Sequence, residues 1–186
     1  VTCGGGGAIA AADSDLIARI KHLTSTARIW PNYDHDMVGY NYRMTNVQAA
    51  LGVAQLERLE EFLTRKNEVR DRYAALAAKH AHIAPFPAPD FGRNGHWFSG
   101  FFYTGDRAEL PDAFRAHMNA ANVDLRPFWK PIHLQLPYLG AIATPMPVAD
   151  DLWQRLFPLP CSTHLSDDDL NTVLTAADAF WSAHDN

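Results

Sequence analysis

Cysteine is scarce in this sequence. There are two in 186 residues, Cys3 and Cys161, in unrelated surroundings. They read as free thiols of a cytoplasmic protein rather than as a disulfide pair. No N-x-[ST] acceptor occurs, which agrees with that compartment. Apolar runs fall far short of a bilayer span, and the N-terminus has no signal-peptide pattern, so a membrane is excluded as partner. Basic runs are absent as well. The formal charge is −5, with Lys and Arg scattered along the chain, which excludes an electrostatic nucleic-acid surface. Of the nine histidines only His80 and His82 lie close together. Neither H-E-x-x-H nor C-x-x-C is found, so no metal site is expected. No serine sits in a G-x-S-x-G elbow.

What is present is enough for a core: 47% of residues are hydrophobic. Val1–Cys3 reads as the end of a strand, Gly4–Gly7 as a turn and Ala8–Ala11 as a further strand. With no initial methionine, this opening implies more chain upstream. Asp13 or Ser14 caps a short helix with Leu16, Ile17, Ile20 and Leu23 as its stripe. Thr45 and Gln48 form a capping box for a long helix, expected to reach as far as His80. Glu61–Arg65 and Glu68–Arg72 are i,i+4 pairs on it. A strand is expected within 96–104, helices within 111–123 and 148–156, and a last helix capped by Ser166. A short strand is expected to lead into residues 124–138. Phe157–Pro160 is too rich in proline for a central strand. Mixed strands and helices indicate the α/β class.

Three stretches invite chemistry. Gly4–Gly7 lacks the G-K-[ST] of a phosphate loop and the spacing of a dinucleotide fingerprint, leaving a tight turn or, less directly, a phosphate cradle. In "GYNYRMT", residues 39–45, Asn41 and Arg43 sit on a turn that feeds a helix. They either cap local backbone or form an anion site, because donors converge at a helix N-terminus. In "RPFWKPIH", residues 126–133, two prolines stiffen the backbone around Arg126, Trp129, Lys130 and His133. That is either a surface loop with one buried Trp or a pocket for a phosphorylated or sugar-like ligand.

"TCGGGGAIAAADSDLIARIKHLTS", "GYNYRMTNVQAALGVAQLERLEEF", "LRPFWKPIH" and "FPLPCSTHLSDDDL" occur in that order. Together they resemble the second half of the DegT family of fold-type-I, pyridoxal-phosphate-dependent sugar aminotransferases. The members most similar act on 4-keto-6-deoxy sugar nucleotides, for surface polysaccharide. The resemblance implies an α/β, PLP-transferase-like fold. Residues 1–44 would be the tail of the large cofactor-binding domain. Residues 45–186 would be a long spine helix and the small C-terminal domain. It implies a homodimer with shared active sites, glutamate as amino donor and a nucleotide sugar as acceptor. Asn41 and Arg43 would reach the cofactor phosphate or the substrate of the neighbouring subunit. Tyr42, Arg126, Trp129 and His133 would lie near the substrate. The family's Schiff-base lysine precedes the glycine turn. None of Lys21, Lys66, Lys79 and Lys130 holds that place, so the chain as given is expected to be inactive. A sugar 3-dehydratase of the same family, or a non-catalytic assembly module, are the alternatives that the residue before Val1 would separate.

Overall fold

The computed structural model describes residues 1–185. Its contacts divide the chain into two compact units, Val1–Glu60 and Glu61–Asn186.

The first unit contains helix α1 (Ser14–Thr24), a hairpin of β1 (Arg28–Ile29) and β2 (Asp34–His35), and helix α2 (Asn46–Glu57). Asp13 caps α1, its carboxylate accepting from the N–H groups of Asp15 and Leu16. In the hairpin Arg28 faces His35 and Ile29 faces Asp34. Thr45 and Gln48 close the capping box at the start of α2. Ala27 is the only buried residue among those described here. Ala8–Ala11 is not a strand. Its backbone has no ladder partner among the described residues, and a strand needs one.

The second unit is built on three antiparallel strands, β3 (Ile83–Pro85), β4 (Ser99–Tyr103) and β5 (Leu156–Leu159), with β4 in the centre. Helices α3 (Leu59–Ala77), α4 (Leu110–Ala120) and α6 (Asp167–Ser182) supply much of its core, and α5 (Pro147–Arg155) leads into β5. Phe101 and Tyr103 of β4 point into that core. There Phe114 of α4 lies 4.9 Å, centroid to centroid, from Trp181 of α6, and Tyr103 stacks on Trp181 at 5.8 Å. Ser166 caps α6, and three aspartates fill its first turn, where the helix dipole favours them.

Three expectations change in detail. The long helix is two helices, broken at Arg58, whose φ is −104° and ψ 9°. The halves differ in burial: α2 has no buried residue, whereas α3 buries Val69, Tyr73, Leu76 and Ala77. Residues 156–159 do form a strand despite Pro158, but at the sheet edge, where a missing donor is tolerated. No strand leads into residues 124–138, which are extended and then form two 3₁₀ turns, Ile132–Leu134 and Leu136–Tyr138. The expected Glu68–Arg72 pair is replaced: Glu68 bonds Arg65 (3.1 Å), which also bonds Asp167 (2.9 Å), and Arg72 lies 3.7 Å from Asp167.

Candidate functional site

In the first unit the turn before α2 is held by backbone. Tyr40 N–H donates to Leu23 O (2.7 Å), Tyr42 N–H to Thr24 O (3.0 Å), and Thr26 N–H to Tyr40 O (3.1 Å). Gly39 allows this pairing: a Cβ there would lie 2.3 Å from the Thr26 carbonyl carbon. Tyr40 and Tyr42 stack at 5.2 Å. Asn41, Tyr42 and Arg43 are all exposed. Among the described residues the Asn41 amide and the Arg43 guanidinium have no side-chain partner. Two polar groups are thus presented at a helix entrance with their hydrogen-bonding capacity open. The glycine turn packs against the same entrance. A Cβ on Gly6 would meet Met44 Cε at 2.8 Å, and one on Gly5 would meet Gln48 Nε2 at 3.1 Å. The close approach that glycine permits here is to the chain's own side chains.

In the second unit Arg126 and Trp129 line one cleft of about 390 Å³, with Phe98, Asp124, Phe128 and Cys161. Asp124 pairs with Arg126 (2.7 Å), and the hydrogen bond and charge of its carboxylate raise the Arg126 pKa. Trp129 is 61% exposed, so it is not a core residue. Its ring leans on Phe98 (5.3 Å), Phe128 (5.4 Å) and Trp97 (5.5 Å), which fix its orientation while leaving much of it open. His133 does not line this cleft. Its Nε2 bonds Asp150 of α5 (2.6 Å), and its Nδ1 is buried without a partner among the described residues. It ties the 3₁₀ turn to α5.

Sequence reasoning missed Asp124, Phe98 and Phe128. Asp124 had a signal, since in an extended segment residues two apart share a side. Phe98 lies 30 residues from Phe128 in the chain and had none. Among the described residues no three His, Cys, Asp or Glu side chains gather as a metal site would require. Among the described residues no helix is long and apolar enough to cross a membrane.

Comparison with known proteins gives a consistent picture. The DegT/DnrJ/EryC1/StrS aminotransferase family profile matches residues 1–178. The GDP-perosamine synthase of Escherichia coli O157:H7 is 30% identical over 183 residues, 98% of this chain and 49% of that protein. The chain thus spans about half the length of the curated relatives it matches. Helicobacter pylori PseC, an aminotransferase involved in the biosynthesis of pseudoaminic acid, superposes with a TM-score of 0.81 at 16% identity. That match covers 92% of this chain and 47% of PseC. A candidate sugar aminotransferase of Streptococcus pneumoniae, in its PLP-form, has a TM-score of 0.80 at 22% identity. It covers 93% of this chain and 45% of that one. At these identities the two structures speak to fold alone, and the fold is that of α/β sugar aminotransferases. The chain belongs to the DegT/DnrJ/EryC1/StrS aminotransferase family.

Proposed function

We propose that this chain is the C-terminal part of a pyridoxal-phosphate-dependent aminotransferase. It would move an amino group from glutamate to the keto carbon of a nucleotide-linked 4-keto-6-deoxy sugar, for surface polysaccharide. The observation that carries this reading is the family match over nearly the whole chain.

In this reading Arg43 and Asn41 donate hydrogen bonds to the cofactor phosphate of a neighbouring subunit in a homodimer, and Tyr42 contacts the substrate. Their exposure and lack of side-chain partners support it. So does α2, which exposes Val47 and Leu51 on one side and Val53 and Leu56 on the other, apolar surface that a second copy would cover in part. In the second unit Arg126 is offered to the substrate's diphosphate and Trp129 to a flat sugar or base face. His133 acts through its tie to Asp150, which holds the loop that carries both. Pyridoxal phosphate, when bound, supplies the electron sink and the carrier of the amino group. The amine that anchors it is assigned to chain upstream of Val1. Lys66 is tied to the Trp97 carbonyl (3.2 Å), and no lysine adjoins the glycine turn. The 186 residues alone are therefore inactive in this proposal.

The test uses the longer protein containing this chain, with pyridoxal phosphate, glutamate and a panel of 4-keto-6-deoxy nucleotide sugars. The expected result is release of 2-oxoglutarate, with a product whose mass shows the keto oxygen replaced by an amino group. The 186-residue chain should give neither. A dehydrated sugar, or no reaction across the panel, would overturn the reading.

A further inference from the structure

Gly100 and Phe102 of β4 alternate with the core-facing Phe101 and Tyr103. With Phe86, Phe98, Phe128 and Leu152 they open onto a second hollow, of about 380 Å³. Its walls are aromatic: Phe86 and Phe98 both meet Phe128 edge-to-face, at 6.4 and 5.9 Å. Three polar groups border it without hydrogen-bond partners among the described residues. Ser99 Oγ and Arg70 Nε are both shut off from solvent. The His96 ring belongs to a residue only 8% exposed and held at a φ of 45°.

Buried polar groups are normally paired, and leaving one unpaired costs stability. Five buried side-chain polar atoms lack a partner among the described residues, and two of them border this one hollow. We propose that the hollow is a binding site for a small aromatic monocarboxylate, its ring among Phe86, Phe98 and Phe128 and its carboxylate on Arg70 and His96. The guanidinium calls for an anion. A single charge suits it, because Asp71 already pairs with Arg70 Nη2 (3.0 Å) and offsets part of the cation. Arg70 already lines the hollow, and its side chain, 39% exposed, is not locked into the core. Edge-to-face walls select a ring over an aliphatic chain. The volume lies in the range of small-ligand sites. The site belongs to the second unit alone, and its test needs neither cofactor nor nucleotide sugar.

Phenylacetate is titrated into the 186-residue chain and followed by amide NMR, with 2-phenylethanol as the uncharged counterpart. Saturable shifts are expected at His96, Gly100 and Phe102, with the alcohol bound about tenfold more weakly for want of the charge-assisted bond. Arg70→Met should weaken the acid to the level of the alcohol and leave the alcohol unchanged. Leu152→Trp fills the hollow and should abolish both. If Arg70→Met does not fold, the acid–alcohol difference and Leu152→Trp decide. Shifts that fail to saturate, that match for acid and alcohol, or that survive Leu152→Trp overturn the proposal.

Discussion

Replacing Arg43 with alanine separates a residue that builds a turn from one that serves a ligand. Backbone bonds from Tyr40, Tyr42 and Thr26 hold the turn, and Gly39 seats it. The Arg43 side chain is exposed and touches none of this. Its removal should lower folding stability by less than about 0.5 kcal/mol, as for an ordinary surface site. If the guanidinium bonds a phosphate, the same change loses about 1.5–3 kcal/mol of binding. That is roughly a ten- to 150-fold weaker dissociation constant. Asn41→Ala, which removes a neutral donor, should lose about 0.5–1.5 kcal/mol. The assay is a mixed dimer of the longer protein. One subunit lacks the cofactor-anchoring lysine, and the other carries Arg43→Ala. One site then holds both defects and the other holds neither, so at limiting cofactor mixing should recover about half the wild-type activity, although one parent homodimer is inactive and the other weak. Heterodimers confirmed by mass that recover no activity would refute the idea that Arg43 crosses to its neighbour. A large drop in cofactor-free melting temperature would refute the claim that the turn stands without it.

Gly39→Ala should destabilise the first unit by about 1–3 kcal/mol, since the new methyl runs into the Thr26–Ala27 peptide, and circular dichroism of α1 and α2 on urea titration would show it. The His80 side chain is only 3% exposed, and its two ring nitrogens face Asp178 (2.9 Å) and Asp185 (2.5 Å), so His80→Gln should cost about 1–3 kcal/mol in the urea unfolding of the second unit. Amides of residues 8–11 should exchange with solvent almost as in a peptide, while Phe101 and Phe157, paired across β4 and β5, persist. Burial and the charge of Arg70 lower the His96 pKa below 6.5, with Lys66 acting the same way and Asp71 opposing. A depressed folded-state pKa means that stability is full above about 6.5 and is lost as pH falls through the folded value. His96→Gln should flatten that fall in a pH series of urea midpoints.

The helices were legible because their signals are local. Capping residues stand beside apolar stripes in α1 of the first unit and α6 of the second, and the 3.6 period of α4 is clean. The break at Arg58 was not legible, as residues 56–60 contain neither glycine nor proline. Only the change in burial from α2 to α3 marks it. Ala8–Ala11 looks like a strand by composition, but strand formation is decided by a neighbour and not by propensity. Pro158 argued correctly against a central strand yet could not distinguish no strand from an edge strand. At the candidate site, prolines 127 and 131 announced a stiff loop. The direction of each side chain on it depends on Asp150 and Phe98, which are distant in sequence. The second hollow was invisible for the same reason: Arg70, His96, Ser99 and Phe128 meet only through tertiary folding.

The two edges of the three-stranded sheet, β3 and β5, each carry a proline, Pro85 and Pro158. An added strand needs an unbroken row of donors and acceptors, and each proline deletes a donor from that row. Both strands are also short, three and four residues. The sheet is therefore a poor template for edge-to-edge growth, and concentrated solutions of the chain should not convert to sheet-extended aggregates through β3 or β5.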